Sequence, residues 1–275
     1  MSGGKAVVQG RTAVSAVNQQ SRKSGLGGKT RKALGIGFGV FLLVFWQILA
    51  MAIDKSYVLP QPVDVIRHII KNKKELFLVH LPSTMSVVAI GCIAAVVLGF
   101  LLAVVMDWDH RVEKALYPVL TATQTIPTMC IAPVFVLWFG YTMKMRVLVV
   151  VLVNFFSVTV NVFDGFKATS PGRMELMQTY GATKLQQFTM LRLMRALPNF
   201  FTSLRIAVPW SVVGAAVAEW LGAPDGLGTY SRSCMMSLDA AGLLAPLVIL
   251  TVIALVLNGL LALIEKKVIT WKGEA

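Results

Sequence analysis

Residues 83–106 read STMSVVAIGCIAAVVLGFLLAVVM, 24 positions without a charge. As a helix rising 1.5 Å per residue, this run is about 36 Å long. That exceeds a hydrocarbon core of about 30 Å, which roughly 20 apolar residues can cross. Working outward, similar runs lie at about 33–53, 115–139, 146–166, 200–221 and 242–264. The third is interrupted by Pro118, Pro127 and Pro133. Composition agrees: 56% of residues are hydrophobic and 14% charged, against about 25% charged in soluble domains. The expected fold is all-α, a polytopic integral membrane protein of about six transmembrane helices. Residues 62–80 read as a separate amphipathic helix lying at an interface.

The net charge is +13, from 26 Lys and Arg against 13 Asp and Glu. In a soluble chain this would point to nucleic acid. Here no basic stripe with interleaved aromatics exists, and much of the charge sits in the N-terminal segment and one long loop. That is the positive-inside pattern. Residues 1–32 are expected to be a disordered, basic, cytoplasmic tail, followed by the membrane domain, 33–275. The first apolar run is too long for a signal-peptide core and carries Asp54 and Lys55 after it, so it reads as a retained span. The loop from Lys167 to Pro198 is placed inside. It carries Lys167, Arg173, Lys184, Arg192 and Arg195 against Glu175. Both termini then fall on the cytoplasmic side. Lys55, Arg67, Lys71, Lys73 and Lys74 on the outer side run against the rule, but the tail and long loop outweigh them.

That loop contains SPGRMELMQTYGATKLQQFTMLRLMRALP, residues 170–198. Ser170 before Pro171 predicts a helix start, a cap followed by proline in the first turn. Gly181 predicts a left-handed stop. Thr183 and Gln186 predict a capping box that starts a second helix. Pro198 is expected to end that helix or kink it into the next span. The product is either a projecting helix–turn–helix hairpin or an ordinary amphipathic loop packed on its own protein.

Glu175, Gly181 six residues on, Ala182 and the later Leu197-Pro198 pair resemble the EAA motif of ABC importer permeases. Leu176 and Met177 stand where that motif has alanines, and Met194 where it has proline. The resemblance continues in Tyr57–Pro62, in Ile126-Pro127 with Ala132-Pro133, in Leu137–Gly140, and in Ala218–Gly222 with Gly226-Leu227-Gly228. Taken in order, these are similar to the nitrate/taurine/sulfonate-type permeases. The resemblance implies a type I importer permease with its coupling helix in the hairpin. Pro171, Glu175, Leu176, Tyr180, Gly181 and Ala182 would meet an ATPase subunit. It implies a second permease copy, a pair of ATPase subunits and an extracytoplasmic solute-binding protein. ATP and Mg would be held by the ATPase, so no cofactor is expected in this chain. Substrates of the subfamily include nitrate, taurine, sulfonates, thiamine-precursor pyrimidines and riboflavin. The Ala-Glu-Trp-Leu-Gly-Ala run at 218–223 lies closer to the vitamin branch.

Other candidate sites are weighed on their residues. Thr121, Thr123, Gln124, Thr125 and Thr128 make the third run polar; Asn154, Ser157, Thr159 and Asn161 do so in the fourth. They either line a path or hydrogen-bond between helices. Gln124, Thr125, Asn154, Ser157, Asn161 and Glu219 form the candidate pathway and gate set. Glu219, near one end of the fifth run, divides evenly between a structural hydrogen bond and a pathway role. Arg205 reads as snorkelling to headgroups rather than binding an anion. The every-fourth small residues Gly91, Ala95, Gly99 and Ala103, and Gly214, Ala218 and Gly222, read as packing contacts. GLGGKT at 25–30 lacks the spacing of a phosphate loop, since Lys23 stands at its first glycine. Cys92, Cys130 and Cys234 read as packing residues, and His68, His80 and His110 as isolated, so no metal ligand and no catalytic residue is assigned. A membrane-embedded enzyme would need converging His, Cys or acid groups. A secondary transporter would show repeats and several intramembrane acids.

Overall fold

The computed structural model describes residues 28–53, 55 and 57–270. It divides into two units, 1–63 and 64–275. In the first, helix α1 spans Gly28–Ile53. It starts ahead of the expected Ala33. The tail expected to be disordered lies outside the described residues as far as residue 27, together with the start of the GLGGKT stretch. After α1 a turn forms in which the Lys55 carbonyl accepts from the Val58 and Leu59 N–H groups at 2.9 and 3.1 Å.

The second unit is built on four helices long and apolar enough to cross a membrane. These are α3 (Lys73–Trp108), α6 (Met143–Lys167), α8 (Lys184–Trp220) and α10 (Ala240–Val268). Shorter helices join them: α2 (Pro62–Lys71), α4 (His110–Gln124), α5 (Thr128–Phe139), α7 (Pro171–Thr179) and α9 (Leu227–Met236). Among the described residues the secondary structure is helical throughout, with no strand.

Three expectations are sharpened. The third apolar run is interrupted as expected, as a broken span or a re-entrant loop. It is two helices, α4 and α5, bent by 98°. The break falls at Pro127, which is extended at φ −60°, ψ 118°. Proline has no N–H to give the ladder and pushes the residue before it out of the helical region. Pro118 and Pro133 lie inside their helices. Second, only residues 62–71 form the separate amphipathic helix. Asn72 breaks it, and 73–80 join α3 through a π-helical turn at Leu76–His80. Third, Pro198 does not end the hairpin's second arm, the first of the two outcomes expected of it. It sits inside α8, which runs on through it.

α3, α6 and α8 make the core. Gly91, Ala95, Gly99 and Ala103 are all buried, and the first and third face α6. A Cβ on Gly91 would fall 2.6 Å from Val150, and one on Gly99 2.8 Å from the Phe155 carbonyl. The small residues let the two backbones approach, as helices in lipid require. Gly214 on α8 also faces Val150, but a Cβ there would stand at an ordinary contact distance, 3.5 Å. Gly222 differs from the packing role expected of it: it turns the chain at φ +137° beneath the Tyr141 ring. Outward, Ile93 and Leu101 on α3 and Leu255 and Leu263 on α10 are exposed. Exposed apolar side chains along such helices suit lipid rather than water.

Candidate functional site

Two constellations stand at opposite ends of α8. At its first end is the hairpin. α7 starts at Pro171 after an extended Ser170 (φ −64°, ψ 136°). The Ser170 side chain makes no capping bond, contrary to the sequence reading; its carbonyl accepts from the Arg173 and Met174 N–H groups instead. The turn is doubly fixed. The Ala182 N–H donates to the Met177 carbonyl at 3.0 Å, and the Gly181 N–H to Gln178 at 2.9 Å. With Gly181 at φ +74°, this is a Schellman stop. The next residues restart the helix: the Gln186 N–H donates to Thr183 Oγ1 at 3.3 Å, and the Thr183 N–H to Gln186 Oε1 at 2.8 Å. That is the predicted capping box.

α7 has no buried residue, and Glu175 is exposed. Leu176, Leu185 and Tyr180, the last at 81%, are exposed around the turn. Pro171 and Gly181 are exposed too, and Ala182 is half-buried. The turn thus leaves three large side chains uncovered in the single chain.

The base of the hairpin is tied down. Arg192 Nη1 lies 2.6 and 2.7 Å from the two Asp107 oxygens, which joins α8 to the end of α3. Lys167 pairs with Glu113 and lies over the Phe163 ring, and His110 sits 2.7 Å from Glu113. Phe188 packs on Trp108 and Phe166. No local spacing pointed to the Asp107–Arg192 tie, since the partners lie 85 positions apart.

At the other end of α8 lies Glu219, fully buried. Its Oε2 accepts from the Gly228 N–H at 2.8 Å and from the Thr84 hydroxyl at 3.0 Å. Thr84 Oγ1 in turn accepts from the Leu227 N–H at 2.8 Å. The Gly226 N–H donates to His80 Nδ1 at 3.1 Å, so His80 is a structural acceptor rather than an isolated side chain. Arg146 reaches Ser83 Oγ and the Asp225 carbonyl at 3.2 and 3.4 Å. Gly226 is at φ +131°, and a Cβ there would fall 2.2 Å from the Glu219 carboxyl carbon. The acid therefore holds the 222–228 loop against α3.

The other candidates separate. Asn154 is buried and donates to Ser211 Oγ on α8 at 3.1 Å. Asn161 is half-buried and bonds back to the Ser157 carbonyl at 2.7 Å. Gln124 and Thr125 are exposed at the α4–α5 elbow, beside a recess of about 70 Å³ that Gln124 lines with Thr128 and Phe156. Thr121, Thr123 and Thr125 bond back to carbonyls of their own helix. Arg205 pairs with Glu265 at 2.7 Å, a partner the sequence reading did not name. His68, also expected to be isolated, lies beside Cys234 and Asp239.

Residues 95–270 match the model of the "Binding-protein-dependent transport system inner membrane component" family. The chain belongs to this family. It is 45% identical over 235 residues to the formylaminopyrimidine transport permease protein ThiX of Halalkalibacterium halodurans, covering 86% of this chain and 94% of that protein. It is 27% identical over 250 residues to the taurine transport system permease protein TauC of Escherichia coli, covering 88% and 90%. Among solved structures, a chain of the inward-facing MetNI methionine ABC transporter superposes with a TM-score of 0.60 at 17% identity, over 68% of this chain and 93% of that one. The fold is that of type I ABC importer permeases. The chain is an ABC importer permease of the nitrate/taurine-type subfamily, a transport subunit rather than an enzyme. Membership implies an ATPase and a solute-binding protein as partners.

Proposed function

We propose that two copies of this permease form a homodimeric pathway that imports a thiamine-precursor pyrimidine, driven by a separate ATPase pair. Both termini and the hairpin face the cytoplasm. Pro171, Glu175, Leu176, Tyr180, Gly181 and Ala182 dock in a cleft of the ATPase, which binds the ATP and Mg. The exposed apolar turn, stiffened by a helix stop and a capping box back to back, supports this docking. When the ATPase pair closes, a rigid helix end held in its cleft turns that movement into rocking of the spans above. The Asp107–Arg192 tie passes the movement to α3.

Gln124 and Thr125 at the elbow, with Ser157 and Asn161 on α6, supply the polar lining of the path. Backbone groups freed at a broken helix are tolerable where water or protein meets them. Asn154 and Glu219 hold helices and loop together. The similarity to the formylaminopyrimidine permease supports the substrate class.

The test is reconstitution in lipid nanodiscs with the cognate ATPase and binding protein. Binding protein loaded with formylaminopyrimidine should stimulate ATP hydrolysis and drive uptake. Stimulation by taurine-, nitrate- or riboflavin-loaded protein alone would move the substrate to that class. Uptake by the permease without the ATPase would overturn the coupled mechanism.

A further inference from the structure

Away from the hairpin and the Glu219 loop, one group of side chains has no place in transport as described. Folding brings together His68 on α2, Cys234 on α9 and Asp239, which precedes α10. One donor atom from each lies within 4.8 Å of the others. His68 Nδ1 stands 3.4 Å from Asp239 Oδ2. Cys234 is buried, whereas the Asp239 side chain is 41% exposed, which leaves a way in from solvent.

Two features hold this arrangement. The first is the turn between Cys234 and Asp239. The Asp239 N–H donates to the Cys234 carbonyl at 2.9 Å, and the Leu238 N–H to Met235 at 3.1 Å. This is a Schellman stop with leucine, not glycine, in the left-handed position: Leu238 is at φ 59° and its side chain is exposed. It is the only non-glycine residue at positive φ among those described. A β-carbon in that conformation is strained, and such outliers gather at functional sites. The second is Gly242, whose missing Cβ would fall 2.6 Å from both Asp239 Oδ2 and Cys234 Sγ. The backbone there closes directly over the donors. Asp239 Oδ1 is occupied by the Gly242 N–H at 2.9 Å, so Oδ2 is the oxygen turned to the group.

The imidazole is oriented from behind. Its Nε2 lies 2.8 Å from the Tyr230 hydroxyl and 2.9 Å from Asn72 Nδ2. That leaves Nδ1 for Asp239 and Cys234. The Asn72 amide nitrogen can only donate, so without metal Nε2 accepts and the ring proton sits on Nδ1 toward Asp239. A metal on Nδ1 moves that proton to Nε2, where the Tyr230 hydroxyl accepts it and the Asn72 amide turns its oxygen in. Burial, and next the facing Asp239 carboxylate, push the Cys234 thiol up.

We propose that His68, Cys234 and Asp239 form a three-ligand site for a borderline divalent metal ion, zinc by its donor set. One nitrogen, one thiolate sulfur and one carboxylate oxygen suit zinc, with water in the fourth position. Zinc-bound donors stand roughly 3–4 Å apart, so the group closes by about 1 Å on loading. The metal ties α2 to the α9–α10 turn, at the end of α8 opposite the hairpin.

The test uses the full chain in mild detergent, with any affinity tag removed and bound metal stripped by chelator. Cobalt(II) is titrated in as a visible stand-in for zinc. One cobalt per chain should bind with a thiolate-to-cobalt charge-transfer band that zinc displaces and magnesium does not. The band should vanish in Cys234→Ser and persist in Cys92→Ser and Cys130→Ser. Tyr230→Phe should keep the band and weaken binding roughly 10–100-fold. Zinc should raise the unfolding temperature of the parent chain and of the Cys92 and Cys130 variants, but not of Asp239→Asn or His68→Gln. That comparison separates a lost ligand from a lost fold. No stoichiometric cobalt, or a band that survives Cys234→Ser, overturns the site.

Discussion

Glu219 shows what one buried carboxylate does when it has backbone to hold. It takes the Gly228 N–H and the Thr84 hydroxyl on one oxygen, and Gly226 leaves room for it only because it lacks a Cβ. A glutamine carries an oxygen in the same place, so Glu219→Gln should keep both bonds and most ATP-driven uptake. Glu219→Ala leaves the buried Gly228 N–H unpaired, at about 1–3 kcal/mol, and opens a void as well. It should lower the unfolding temperature and reduce uptake together, as read by thermal unfolding and vesicle transport. A Glu219→Gln protein that unfolds normally but no longer transports would place the charge itself in the pathway. The residue type alone cannot separate these two roles. Its hydrogen-bond partners can.

At the scale of elements, α8 is 37 residues long, about 55 Å at 1.5 Å per residue. A bilayer core takes about 30 Å of that. The surplus is the hairpin's second arm, continuous with the span through a π-helical turn at Phe188–Arg192. A push on the hairpin is therefore a push on the end of a transmembrane rod. The Asp107–Arg192 pair binds a second rod, α3, to the same base. Asp107→Ala should leave the ATPase co-purifying with the permease. ATP hydrolysis should no longer respond to loaded binding protein, because docking survives and transmission does not. Gly181→Val should act one step earlier. A β-branched residue at φ +74° cannot hold the turn, while the surrounding space is open, so the spans should still fold and the ATPase should be lost from pull-downs. Normal coupling in Asp107→Ala would remove the tie from the mechanism.

For the whole molecule, sidedness is the quantity to measure. The hairpin and the 222–228 loop end opposite tips of α8. In a cysteine-free background, Leu185→Cys should react with a membrane-impermeant maleimide only after the cells are opened. Pro224→Cys, at an exposed position of the 222–228 loop, should react in intact spheroplasts if that loop faces outward as proposed. The reverse pattern would invert the topology drawn from the Lys and Arg distribution. The exposed apolar faces of α3 and α10 carry no such sign of direction, since lipid and a second copy satisfy them equally.

Local chemistry made much of this protein legible. Uncharged runs fixed the long helices, because a bilayer admits little else. Gly181, Thr183 and Gln186 specified the hairpin turn, because stops and caps are made by residues a few positions apart. Pro127 marked a break in the third run, but not its 98° angle, which the packing of α5 against α6 sets. The α9 helix was missed: its residues 227–236 are mostly polar or small and carry no long apolar run. Tertiary structure alone decided which polar groups meet. Thr84 reaches Glu219 across 135 positions of sequence and Tyr230 reaches His68 across 162. No spacing rule joins residues so far apart, and only the packed helices bring their side chains within hydrogen-bond range.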